Sequence, residues 1–358
     1  MRSLVAVCAA VLWASVAMAQ PASLQGPGWD ALRAGDHEQA RQAFRHALAS
    51  RPSDPLLHLG LGVATHELGD DVEARQVLTR ALALEPRLTP ATALLGEIVY
   101  ASGDLSGAIA LYERGSQGPR ASAVLKPRLE EWRSEANLHG GFEARDAGRF
   151  TLLIEGPEER RVADRVHRVL EAAYTRIGGR LNAFPDEPIP VILYTAQRFQ
   201  DVTRSPQWAG GLYDGRIRLA VGGGLDDPAS LDRVVVHELA HAFVQHIAPV
   251  GVPAWLHEGL AVLFEQGDER WIDQHLRAAG RLPSLSSLDG GFTGLNAAEA
   301  TLAYAQSAAA ARVLINRLGP NLAAFLQSLD RSQSLDAVSA TFGFTTADIE
   351  SAVRARAR

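Results

Sequence analysis

The dipeptide Gly-Asp stands at residues 35–36, 69–70 and 103–104, so the first third of this chain repeats every 34 residues. Ala40, Ala74 and Ala108 follow five residues after each glycine, and Phe44, Leu78 and Tyr112 follow nine after. Leu61-Gly62 and Leu95-Gly96 recur at the same period, and Pro52 and Pro86 close the first two units. A period of this length is one pair of antiparallel helices per unit. Such a unit cannot bury its apolar face alone and is stable only when stacked on its neighbours. Small residues let the helices approach, and large ones fill the groove between them. The sequence therefore predicts an all-α solenoid of about three units over residues 20–120. Pro27 and Gly28 shorten the first helix of unit one, and Gly115 replaces an alanine in unit three, as expected of terminal units. Residues 121–147 are expected to form a capping helix, with Leu125, Leu129, Trp132 and Ala136 on one side, and then a linker at Gly140-Gly141.

From residue 148 the pattern changes. Phe150 to Ile154 reads as a strand, and Val162, Val166, Val169, Leu170, Ala173 and Ile177 mark an amphipathic helix. Ile189 to Tyr194 and Leu212 to Val221 read as two more strands. Past Gly267 the chain looks all helical. Between these parts lies His237-Glu238-Leu239-Ala240-His241. Asp227 and Pro228 are a helix start signal, and Leu231, Val234, Val235, Leu239, Ala242 and Phe243 recur at helical spacing. On a helix, positions i and i+4 share one face about 6 Å apart, so both imidazoles can reach one zinc ion. Glu238 is rotated off that line and can act as the general base towards water in the cleft.

A catalytic zinc keeps three protein ligands and one open position. His246 lies nine residues after His237, on the far side of the helix. Val244 and Ile247 occupy the positions where the metzincin pattern needs glycine and histidine, so that class is excluded. Glu258 remains, on a second helix expected from about Pro253 to Gln266 after a reversing loop rich in glycine and proline. His257 lies about 100° round that helix and is read as lining the cleft or the surface. Glu265 shares the face of Glu258. It is either an acceptor for the outer N–H of a zinc-bound imidazole or a solvated helix end.

With 35 basic and 41 acidic residues the formal charge is −6, and no basic stripe argues for nucleic acid. Lys126 is the only lysine. Residues 1–19 read as a secretory signal peptide: Arg2, an apolar stretch from Leu4 to Val16, and Ala17-Met18-Ala19 at the cleavage position. The single cysteine, Cys8, lies inside it, so the expected mature chain has no disulfide. No later segment supplies 18 apolar residues, so no transmembrane segment is expected in the mature chain.

The first third resembles the tetratricopeptide repeat, whose solenoids commonly bind a peptide or protein partner; the alternative is that the three repeats only pack against the following domain or another copy of it. His237-Glu238-Leu239-Ala240-His241 and Trp255-Leu256-His257-Glu258-Gly259-Leu260-Ala261 resemble the gluzincin clan of metallopeptidases. The closer resemblance is to the bacterial peptidase MA-like domain and covers roughly residues 148–355. It rests further on Gly211 to Val221, similar to that family's strand before the zinc helix, and on Tyr304-Ala305-Gln306-Ser307 followed by Gly319. The resemblance implies His237, His241 and Glu258 as ligands of one zinc ion, and Glu238 as general base. Gluzincins often draw an oxyanion donor from this helical part, so Tyr304 is either that donor or a tyrosine packed in a helix that Leu302, Ala305, Ala308 and Val313 mark as buried. No Gly-x-Met-Glu-Asn motif precedes His237, so an endopeptidase is expected rather than an aminopeptidase. The expected fold is α+β: a helical solenoid, then a two-lobed domain over residues 148–358 with a small sheet, the zinc helix and a helical lobe. The expected activity is zinc-dependent hydrolysis of peptide bonds in a periplasmic or secreted protein. The alternative is an interaction scaffold whose zinc-binding domain is catalytically idle.

Overall fold

Each Gly-Asp pair is a helix junction. Gly35, Gly69 and Gly103 take positive φ of 76°, 78° and 91°, a conformation that costs a side-chain-bearing residue energy. Asp36, Asp70 and Asp104 then cap the next helix, their carboxylates accepting from the backbone N–H of Gln39, Glu73 and Gly107 at 2.9, 2.9 and 2.7 Å. The 34-residue signal is thus the stop of one helix and the start of the next.

The computed structural model describes residues 25–203, 210–222, 227–249, 251–265, 267–292, 294–329 and 335–357; the expected signal segment 1–19 lies outside them. They fall into two compact units, divided between Gly141 and Phe142. The first contains α1 (Pro27–Ala34), α2 (His37–Ser50), α3 (Pro55–Glu67), α4 (Asp71–Leu84), α5 (Thr89–Ala101), α6 (Leu105–Gly115) and α7 (Pro119–His139). Gly28, Gly62 and Gly96 repeat at 34 residues too. A Cβ on each would stand 2.8, 2.6 and 2.1 Å from Phe44, Leu78 and Tyr112. The large residue of each second helix therefore sits on the glycine of the first. Gly28, read from the sequence only as shortening α1, is the packing glycine of unit one. Gly115 gives room to Thr92. Trp132 of α7 closes the stack against Tyr100 and Tyr112, with ring centroids 5.0 and 4.4 Å away.

The second unit opens with β1 (Glu143–Ala147), β2 (Phe150–Ile154) and α8 (Pro157–Leu181). There follow β3 (Ile189–Tyr194), α9 (Ala196–Thr203), β4 (Gly211–Tyr213) and β5 (Ile217–Ala220). The sheet order is β1-β2-β3-β5-β4, with β2, β3 and β5 parallel and both edge strands antiparallel to their neighbours. Two expectations change here. Residues 143–147, read as linker, pair with β2. The single strand expected over 212–221 is a hairpin, because Gly215 turns the chain at φ 92°. That hairpin is fastened from below: Arg218, 1% exposed, donates to Asp214 at 3.0 Å and to the Tyr194 hydroxyl at 2.7 Å.

The rest is helical: α10 (Pro228–Ile247), α11 (Ala254–Phe264), α12 (Arg270–Ala278), α13 (Ala297–Leu318), α14 (Leu322–Leu329), α15 (Leu335–Thr341) and α16 (Thr346–Arg356). Among the described residues no helix is long and apolar enough to cross a membrane. The crossing of α11 and α13 is made by small residues. A Cβ on Gly259 would lie 2.2 Å from the Ser307 carbonyl oxygen and 2.9 Å from the Ala311 Cβ. Backbone cannot swing aside as a side chain can, so Gly259→Ala must part the two helices. We expect it to destabilise this unit by about 1–3 kcal/mol. Chemical denaturation of the full chain checks this, and an unchanged midpoint would refute the close crossing.

Candidate metal centre and active site

Asp227 caps α10 by accepting from the Ser230 backbone N–H at 3.1 Å, and Pro228 occupies the first turn. The helix then runs unbroken to Ile247, which places His237 and His241 on one face with ring centroids 4.9 Å apart. The chain returns as α11, where Glu258 arrives opposite both imidazoles. Its Oε2 lies 3.3 Å from Nε2 of His237 and 3.7 Å from Nε2 of His241. One donor atom from each of the three residues lies within 4.8 Å of the other two. Donors bonded to a tetrahedral ion at about 2.0–2.2 Å stand about 3.3–3.6 Å from one another. Two imidazole nitrogens and a carboxylate at these separations fit a metal ion. His246 is exposed, in the last turn of α10.

The outer nitrogens have partners as well. Nδ1 of His237 meets Oε1 of Glu265 at 2.7 Å, so of the two readings open for Glu265 the geometry favours the acceptor. Nδ1 of His241 meets Nδ1 of His257 at 3.2 Å. Burial lowers the basicity of both of these imidazoles, to about 3 and about 4, so both are neutral at neutral pH. One must donate and the other accept. A metal ion held on Nε2 of His241 would leave the proton on its Nδ1, and His257 would then accept. Sequence reasoning left His257 on the cleft wall or the surface; it is 8% exposed and packs behind the site. Its place beside Glu258 rotates it about 100° from the ligand face, and that alone does not say which neighbour it meets.

Burial would make His237 less basic, but hydrogen bonds to Glu258 and Glu265 outweigh it and raise its pKa well above the ordinary range. Burial would raise Glu258, yet His241 and His237 hold it down to about 2. An ion entering this group displaces the proton of His237, so binding weakens as pH falls. Glu238 is different. Burial pushes it up to about 8, and Glu258, Glu265 and Asp214 add to that against the pull of His237.

The site opens into a cleft of about 470 Å³. Gly210 to Tyr213 form one wall, and Val234, Val262, Trp271 and Tyr304 line others. Gly211 runs so close to Glu238 that a Cβ there would meet its Oε1 at 2.6 Å. Tyr304 is partly buried, its ring 6.4 Å from that of His237 and 4.9 Å from Phe292. Burial raises the pKa of its phenol, so it keeps its proton. A second cavity, about 620 Å³, lies among Arg176, Arg180, Phe264 and Arg312 and contains none of these groups.

His257→Phe keeps a ring of similar bulk and removes the acceptor behind His241. Loss of such an outer partner costs about 10- to 100-fold in metal affinity. We expect a loss of that size in competition with a chelator, and partial recovery in His257→Asn. Equal affinity in all three proteins would refute the role.

Comparison with known proteins agrees with the two-unit layout. The Peptidase MA superfamily pattern matches residues 171–357, and a tetratricopeptide repeat pattern matches residues 28–90. Curated relatives include a probable biofilm formation methyltransferase of Pseudomonas aeruginosa, 35% identical over 24% of this chain and 20% of its own length. A TPR repeat-containing protein of the same organism is 36% identical over 31% of this chain and 46% of its own. Small glutamine-rich tetratricopeptide repeat-containing protein 2 of Mycosarcoma maydis is 24% identical over 36% and 37%. The chain spans less than half the length of each of these relatives. The superfamily match covers more than half of the chain, which belongs to the Peptidase MA superfamily and carries tetratricopeptide repeats ahead of that domain.

Proposed function

We propose that this chain is a zinc-dependent endopeptidase, exported to the periplasm or the medium, whose repeats bind a protein or peptide partner. The observation that carries the hydrolytic reading is the convergence of His237, His241 and Glu258 beside a buried Glu238 in one cleft. Export is supported by the apolar segment from Leu4 to Val16 before Ala17-Met18-Ala19, and by a sequence whose only cysteine lies within that segment.

His237 and His241 through Nε2, and Glu258 through its carboxylate, would hold the ion. Two imidazoles and one carboxylate with a position left open suit catalytic zinc. Bound there, zinc supplies Lewis acidity, which polarises the scissile carbonyl and makes water a stronger acid. The remaining chemistry belongs to side chains. Glu238 takes a proton from the attacking water on its carboxylate and returns it to the leaving amine. A carboxyl raised towards neutrality by burial suits both steps. The Tyr304 hydroxyl, without a hydrogen-bond partner among the described residues, donates to the developing oxyanion. The edge strand β4 offers backbone groups to an extended substrate, and Gly210 and Gly211 carry no side chain to hold it off.

The test is metal content together with turnover. The purified full-length protein is expected to carry about one zinc per chain and to cleave a denatured protein until a chelator is added. Glu238→Gln should keep the zinc and lose about 10²- to 10⁴-fold in rate. Near-normal cleavage by that variant would exclude Glu238 as the base. His241→Ala should lose zinc and His246→Ala should not; equal contents would sink the ligand assignment.

Tyr304→Phe removes only the donor. A fall of about 10²-fold in kcat is expected, with zinc content and melting temperature unchanged. An unaltered kcat would return Tyr304 to a packing role beside Phe292.

A further inference from the structure

Among the described residues that line the cleft, Arg233 is the only arginine or lysine; the others with ionisable side chains include Glu238, Glu258 and Glu265 and the histidines His237 and His241. Arg233 stands four residues before His237 and so one helical turn, about 6 Å, towards the start of α10 on the same face. It is exposed and makes no ion pair or hydrogen bond among the described residues. Its Cδ passes close to Gly267, where a Cβ would come within 3.7 Å. The stem thus runs beside Gly267, and the residue lines the cleft. Val234, Val262 and Trp271 supply apolar wall nearby, and Ser230 lies one turn further back on the same lining.

This placement has an electrostatic consequence. Glu258 and Glu265 are both engaged with His237, so among the described lining residues Arg233 is the side chain left to meet a charge on the substrate. A guanidinium presents a planar fork of donors matched to a carboxylate. One free at the cleft and next to apolar walls attracts a carboxylate more strongly than one in open solvent. We infer that Arg233 is a specificity-determining residue. It reads a carboxylate on the peptide substrate within a few residues of the bond cleaved, supplied by an Asp or Glu side chain or by a free C-terminus. The inference rests on the peptidase reading above and names the substrate class of that same site.

The probe is a set of quenched-fluorescent octapeptides, identical except for Asp, Asn or Lys at successive positions, each with a free or an amidated C-terminus. Zinc-loaded wild type, Arg233→Gln and Arg233→Glu are compared in the full-length chain. At one position, or at the C-terminus, wild type should prefer the carboxylate over its amide counterpart by about fivefold in kcat/KM, the size of a partly exposed ion pair. The preference should vanish in Arg233→Gln and turn towards Lys in Arg233→Glu. Dependence on a side chain or on the C-terminus identifies the source of the carboxylate, and either supports the inference. Indifference of wild type to every carboxylate, or a preference that survives Arg233→Gln, would overturn it. If wild type cleaves none of the peptides, the hydrolytic reading is the one that fails. The same comparison is then made by fluorescence anisotropy, with binding of labelled peptides to wild type and to the two Arg233 variants. Equal binding of Asp and Asn peptides there overturns the inference by itself.

Discussion

Charge held away from water is the constraint around which the second unit is arranged. Bringing one carboxylate or imidazolium into a protein interior costs several kcal/mol unless a partner meets it. Here His237, His241, Glu238 and Glu258 share one pocket. Glu258 is set between two imidazoles, Glu265 takes the outer nitrogen of one and His257 that of the other. Distances of this kind do not survive loose packing. The elements carrying the groups therefore touch through residues with no side chain: Gly259 lies against the Ser307 backbone, and Gly211 against Glu238. Beneath the hairpin, Arg218, Asp214 and Tyr194 solve the same problem a second time, and their network fixes β4 as the cleft wall.

Much of this was legible because helices carry their own geometry. Two histidines four apart on an amphipathic stretch can only share a face, and a carboxylate 17 residues further on, past a glycine- and proline-rich reversal, has one way back. Glu265 was within reach of the same reasoning, being two turns beyond Glu258 on one helix. The role of His257 was not legible. Which neighbour a side chain 100° off the ligand face will meet is decided by how α11 leans on α10, and no periodicity encodes that. The hairpin of β4 and β5 was missed for a related reason: three- and four-residue strands are too short to show alternation, so the turn at Gly215 was read as part of one strand. β1 is almost wholly exposed, and its polar sequence gives no apolar pattern to find.

In the repeats the opposite holds. One signal, repeated, carries both local and packing information. The Gly-Asp pairs set where each helix ends and the next begins, while the glycines at 28, 62 and 96 set how near the paired helices lie. Conformational freedom and absence of bulk are separate properties of glycine, and this unit uses different glycines for each.

The helix α11 has eleven residues, and one short stretch of chain, 257–265, holds the third metal-facing group and the outer partner of each histidine. Helical rotation ties these three together. One residue inserted between 258 and 265 would turn Glu265 about 100° away from His237, and one inserted before 257 within the helix would turn all three. The chain between α10 and α11 has no such helical phase to keep. The site therefore tolerates a change of length where the chain turns and none where it coils. A change of chain length is expected to be accommodated before Ala254 and not between His257 and Glu265.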